Sequence, residues 1–327
     1  EPPLALAVRI TAVGGAVVGV ERSPLAPLAG HDFHIASRVA ILSFLVSFGL
    51  VKAASNFVAG RLADRLGRRR ILLVGWVAAL PVPLLIIFAP SWGWVVFANV
   101  LLGVNQGLAW STTVNMKIDL VGPRRRGLAL GLNEASGYLA VSAAAAIAGF
   151  MAASYGLRPA PYWLAESLAV CGLLLSLLTR ETTGHVELES AGALPTRSVS
   201  KLMLEVSFRD RTMSSACQAG MVNNLTDGMA WALLPRFCAA HGLDLRELGI
   251  LAAVCPAVAA AGQLGTRAFA GGGPMQTRSS ASRTCMASAS AVEWTATVAM
   301  PNSLQARRIR RAISPRLAMR ILSNMLS

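Results

Sequence analysis

Hydrophobic residues along this chain run in long blocks with almost no internal charge, separated by short basic interruptions. Residues 39–59 carry one formal charge, Lys52, and residues 71–89 carry none. About 20 apolar residues span the hydrocarbon core of a bilayer as a helix, so each block predicts a membrane-crossing helix. Blocks at residues 4–20, 92–114, 128–154 and 162–179 complete a set of six, and residues 212–240 and 248–270 add two more. The first block reads as a membrane span with a clipped start rather than as a cleaved leader, because no A-x-A pattern follows it.

The same pattern divides the chain. Residues 1–180 predict a six-helix transmembrane bundle, and 181–211, polar and mixed in charge, a cytoplasmic linker. Residues 212–270 predict the first two helices of a second bundle, and 271–327 a basic, low-complexity tail that is largely disordered. The fold class is therefore all-α integral membrane: a six-helix N-terminal half plus about two helices of a C-terminal half.

Charge fixes the orientation. The link at 60–70 carries five arginines and the one at 117–126 carries Lys117 and three arginines, whereas 91–93 carries no charge and 155–161 only Arg158. Short loops rich in Lys and Arg stay in the cytoplasm, so both ends of the first bundle face inward and the protein is a multi-pass component of the inner or plasma membrane. With 54% hydrophobic and 14% charged residues, a water-soluble fold has nowhere to hide its apolar surface. The net charge of +14 suggests nucleic acid at first sight, but topology-setting loops account for it. Membrane lipids are the expected surroundings, and nucleic acid is not an expected partner.

Between the second and third blocks the chain reads Gly60-Arg-Leu-Ala-Asp64-Arg65-Leu-Gly67-Arg68-Arg69-Arg70. Gly60, Asp64, Arg65, Gly67, Arg68 and Arg69 in this register resemble the signature loop of the major facilitator superfamily of secondary transporters, and residues 117–127 resemble its relative between the fourth and fifth spans. The resemblance covers roughly residues 4–266. It implies two helical halves that rock about a central solute site, with this loop as a cytoplasmic gate. Physical chemistry agrees: a carboxylate beside arginines or at a helix N-terminus is stabilised by about 0.3–1 kcal/mol, and a contact made in one state and broken in another biases the equilibrium between them.

The chain also departs from the family. In proton-coupled drug exporters the fourth span carries R-x-x-Q-G, whereas here Gly103 precedes Asn105-Gln106-Gly107 in the arginine's place. The fifth span has no Gly-Pro signature, and no second copy of the loop motif follows residue 265.

Ionisable groups at the bilayer centre cost about 2.5–3.5 kcal/mol on insertion scales, so they usually face a cavity or a partner. Lys52, Asn105, Gln106, Asn133, Glu134, Asn223, Asn224 and Asp227 are the candidates for binding the solute or a coupling ion. Glu134, Tyr138 and Ser142 share one helical face, and Asn223, Asn224 and Asp227 lie near one stripe. The alternatives for these residues are snorkelling of Lys52 to the interface and hydrogen bonds that only hold helices together. The five cysteines show no metal-ligand spacing, and no nucleophile elbow or phosphate-binding loop is present. No enzymatic activity, cofactor or metal is expected. The sequence thus predicts a secondary active transporter that moves a small-molecule solute by alternating access, with a proton or another ion as a coupling partner. The alternative is a truncated or frameshifted, transport-incompetent membrane fragment.

Overall fold

Residues 2–35, 37–121, 126–182 and 204–269 are described by the computed structural model, and every regular element among them is helical. The chain begins with α1 (Pro2–Glu21) and α2 (Leu25–His31). They are separated by Arg22, Ser23 and Pro24, and together they form one apolar stretch, Pro3–His31. Ser37 accepts a hydrogen bond from the Ala40 amide and starts α3 (Arg38–Leu66), as a short hydroxyl at an N-cap does. Gly67 ends α3 at φ +92°, a left-handed conformation costly for any side chain, and so lets α4 (Arg68–Ala79) start at the next residue.

The third apolar block is not one rod. Pro81 cannot donate to the helix before it and instead begins α5 (Pro81–Ile87). The fourth is α6 (Trp92–Asn105), a π-helical turn at Gln106–Trp110 and α7 (Ser111–Val121). Then come α8 (Arg126–Tyr155) and α9 (Ala160–Leu177). Beyond residue 203, a π-helical turn at Glu205–Arg209 precedes α10 (Arg211–Ala240) and α11 (Leu245–Phe269). Residues 122–125 of the basic link, most of the linker (183–203) and the tail 271–327 lie outside the described residues.

Among the described residues, six helices are long and apolar enough to cross a membrane: Pro3–His31, Val39–Leu66, Arg68–Ile87, Ala129–Tyr155, Ala160–Leu177 and Leu245–Gln263. The other two expected spans are also helical; one is interrupted by the π-turn and the other is diluted by Gln218, Asn223, Asn224 and Asp227.

The main core cluster of the six-helix half is apolar, with Phe44, Leu72, Trp76, Ile86, Val95, Leu102 and Tyr162 buried together. Leu50, Val74, Phe88, Leu139 and Leu174 are exposed on the outer faces. Helices apolar on every side belong in lipid. At the end opposite Gly67, Arg158 clasps three connections. Its Nε donates to Asp32 Oδ2 at 2.6 Å, its Nη1 donates to the Ala89 carbonyl at 3.1 Å, and its guanidinium lies 5.0 Å from the Phe33 ring centroid. Burial works against the charge on Asp32, but the hydrogen bond from His31 and the Arg158 guanidinium hold its carboxyl below the usual range.

The helices of the second half dock on the first along α8 and α3. A Cβ added to Gly149 would stand 2.6 Å from Gly249 Cα, so these two glycines let α8 and α11 touch backbone to backbone. Ser142 Oγ also donates to the Ala253 carbonyl across the same seam, at 2.8 Å.

Candidate functional site

Lys52 lies at the middle of the 29-residue α3, and Asp227 lies near the middle of the 30-residue α10. Around them the two halves bring their charges together. Arg22 grips Asp227 with both forks of its guanidinium, Nη1 to Oδ1 at 2.7 Å and Nη2 to Oδ2 at 2.6 Å. This two-pronged geometry is the strong form of a charged hydrogen bond. The Arg22 guanidinium also sits 5.4 Å from the Trp231 ring centroid, and Trp231 meets Phe44 and Phe48 edge to face at 5.7 and 5.5 Å. Tyr138 on α8 is hydrogen-bonded to Asn223 on α10. Lys52 lies within electrostatic reach of Arg22, Glu134 and Asp227. Its ammonium lies 5.5 Å from the Phe48 centroid and 6.0 Å from that of Trp110, and among the described residues it makes no hydrogen bond or ion pair.

A second group lies beside the first, inside the six-helix half. Lys117, 1% exposed, donates from Nζ to Thr11 Oγ1 and, at 2.6 Å, to Asn133 Oδ1. Asn133 Nδ2 donates to Glu134 Oε1 at 2.8 Å, and Trp110 Nε1 approaches the same oxygen at 3.3 Å. The Asn133 amide thus lies between ammonium and carboxylate and hydrogen-bonds to both. α1, the π-turn with α7, and α8 each contribute side chains to this chain of contacts.

A third group closes the Gly67 end. Arg68 is 3% exposed and its Nε stands 2.9 Å from Asp119 Oδ2 on α7. Thr182 Oγ1 donates to the same carboxylate at 3.2 Å. The two oxygens of Glu181 accept the Arg68 and Arg69 amides at 3.0 and 3.1 Å, and Arg69 Nη2 donates to the Leu177 carbonyl at 2.9 Å. A carboxylate on the first amides of a helix also meets the positive end of its dipole. α4 is therefore tied to α7 and to the chain just after α9.

The positions that sequence reasoning singled out separate into distinct settings. Lys52, Asn133, Glu134, Asn223 and Asp227 belong to the central groups. Asn224 is exposed and bonds to the carbonyl of Gly220, one turn earlier on its own helix. Asn105 and Gln106 are buried within the six-helix half, where their amides donate to the carbonyls of Gly75 and Gly14 at 2.9 and 3.2 Å. In the signature loop, Gly60 is half-buried, Arg65 and Arg69 are exposed, and Gly67 makes the turn. Asp64 is 70% exposed, with Arg68 3.7 Å away as its ion-pair contact; the buried counter-ion of Arg68 is Asp119.

Two central cations escaped the sequence reading. Lys117 was placed in the basic link, but α7 runs on to Val121 and carries it into the core. Asn99, Gln106 and Thr113 recur every seven residues along this span, and Lys117 follows Thr113 by one helical turn; that continuation was the available signal. Arg22 was placed outside the first span, but α2 extends that span past it. Glu21 is buried with it and receives a hydrogen bond from Asn99. Among the described residues, no three His, Cys, Asp or Glu side chains gather into a metal site.

Residues 11–306 match the family model described as the Major Facilitator Superfamily, a match that continues beyond residue 266, where the motif resemblance ends. The multidrug efflux pump LfrA of Mycolicibacterium smegmatis is 34% identical over 114 residues, covering 34% of this chain and 22% of that protein. The multidrug resistance protein MdtG of Enterobacter lignolyticus is 32% identical over 181 residues, 53% of this chain and 43% of MdtG. The chain thus spans less than half the length of these curated relatives. A bacterial homologue of the human lysosomal transporter Spinster, inward-facing and unoccupied, superposes with a TM-score of 0.60 at 17% identity, over 90% of this chain and 73% of that one. A D-xylose-proton symporter gives 0.56 at 13% identity, over 91% and 80%.

Proposed function

Since the chain belongs to the Major Facilitator Superfamily, we propose that it is a secondary active transporter that moves a small solute across the membrane by alternating access. The observation that carries this reading is the central meeting of charges: Arg22, Lys52 and Glu134 from one half and Asp227 from the other, with Lys52 and Asp227 each near the middle of its helix. Charges kept at that depth usually serve a pathway or a partner. The relatives named as a multidrug efflux pump and a multidrug resistance protein and the fold shared with solved transporters support the same class of activity.

In this proposal the arginine-rich Gly67 end faces the cytoplasm, and the Arg68–Asp119–Glu181 cluster holds α4, α7 and the end of α9 as one unit while the halves rock. The Arg22–Asp227 pair, with Trp231 packed over it, joins the halves in the present state and must part in another. Glu134, linked to Lys117 through Asn133, is the acid that a coupling proton would neutralise; a proton-coupled symporter among the structural neighbours supports that choice of ion.

Solute flux through proteoliposomes of wild type, Glu134→Gln, Asp227→Asn, Asp119→Asn and Asp64→Asn tests this. Flux should fall at least tenfold in the two central variants and severalfold in Asp119→Asn, with the smallest change in Asp64→Asn. Equal flux in wild type and both central variants would refute the site assignment.

A further inference from the structure

The charges at the centre do not balance. Three cations, Arg22, Lys52 and Lys117, gather there; the acids acting on them are Glu134 and Asp227, whereas Glu21, next to Arg22 in the chain, is turned to Asn99. Each acid is already engaged. Asp227 accepts both forks of Arg22, and Glu134 accepts Asn133 Nδ2 and faces Trp110 Nε1, with Lys117 behind Asn133. The cation left over is Lys52, whose ammonium lies 5.5 Å from the Phe48 ring centroid and 6.0 Å from that of Trp110, with no hydrogen-bond acceptor among the described residues.

The backbone puts the basic group there. A Cβ at Gly103 would lie 2.8 Å from the Phe48 carbonyl oxygen and 3.1 Å from the Lys52 amide nitrogen, so no arginine fits on α6 at the position where the R-x-x-Q-G pattern has one. α3 lies against that glycine and contributes Lys52 from the other side of the contact. A cation whose direct contacts are ring faces, with Glu134 and Asp227 acting on it only from a distance, is weakly compensated, because a ring face attracts a cation less than a carboxylate in direct contact does.

From this juxtaposition we propose that the central site takes an organic anion with a flat apolar body, its acidic group paired with Lys52 and its body lying against Trp110 and Phe48. This names the solute class and rests on the transporter reading above. An organic cation would instead have to displace Arg22 from Asp227 or approach Glu134 against the field of Lys117, and it would add a fourth positive charge to the centre.

The test is equilibrium binding to the purified full chain in lipid nanodiscs, using three probes with one ring system: 1-naphthoate, 1-naphthamide and trimethyl(1-naphthyl)ammonium. The expected result is saturable binding of the carboxylate at least tenfold tighter than the amide or the ammonium. Lys52→Gln should weaken it at least tenfold, and Lys52→Arg should keep it within about threefold, since a tenfold change corresponds to about 1.4 kcal/mol. Tighter binding of the ammonium, no saturable binding of the carboxylate, or equal carboxylate binding by wild type and a folded Lys52→Gln would each overturn the proposal. The wild-type ranking of the three probes decides even if the glutamine variant does not fold. Flux of the same probes separates the two readings: a carboxylate bound through Lys52 but never moved removes the transporter and keeps the anion site, and Lys52-independent flux of the ammonium does the reverse.

Discussion

Lys117 shows how one residue changes meaning when its helix extends by two turns. In a loop it is one more topology-setting cation; in the core its ammonium depends on Thr11 and Asn133. A hydrogen bond to a buried charge is worth about 1.5–3 kcal/mol, and removing both partners is far milder than removing one. Asn133→Leu should therefore lower the unfolding temperature in detergent, and adding Lys117→Met should restore most of the loss. A double variant as unstable as the single one would show that the contact does not carry the stability assigned to it. The central placement of Lys52, Glu134 and Asp227 was legible in the sequence because charge inside an apolar block stands out. Arg22 and Lys117 were not, because each lies where an apolar block ends and a charged residue there looks like part of a loop.

Among the elements, apolar blocks predicted helices well and their breaks poorly. The division at Pro81 and the π-turn at Gln106–Trp110 leave the hydropathy of their segments unchanged, so composition does not report them. The turn at Gly67 was readable from the motif, whereas the Glu181 cap on α4 depends on a residue more than a hundred positions away. The clasp at the other end was equally hidden, because Asp32, Ala89 and Arg158 come from three separate connections. Its pH dependence follows in sign. The Asp32 carboxyl is held below its usual value of 3.8, so the stability it contributes is complete above that pH and is lost as pH falls through the lower, folded-state value. Arg158→Met should lower the unfolding temperature by roughly 2–4 °C near pH 7, the equivalent of about 1 kcal/mol. The gap to wild type should narrow below about pH 4, and a gap that stayed constant with pH would show that the Asp32 charge plays no part.

At the scale of the whole molecule, the bundle architecture was legible from eight apolar blocks and one loop motif, but the seam between the halves was not. α8 meets α11 through Gly149 and Gly249 and through a serine bonded to a backbone carbonyl, small or backbone contacts that leave no mark on a hydropathy profile. The motif reading placed emphasis on Asp64, and the structure puts the buried ion pair at that end on Arg68 and Asp119, a pairing of residues far apart in sequence.

The central claim is that the polar centre opens to each side of the membrane in turn. Tyr138→Cys, placed in a chain whose native cysteines are replaced by serine or alanine, tests it without knowledge of the solute. The account predicts that a membrane-impermeant thiol reagent added to either side of sealed vesicles reacts with Cys at position 138, and that reaction from one side slows when a bound ligand holds the other side open. Labelling from one side only, under every condition and at every reaction time, would contradict it.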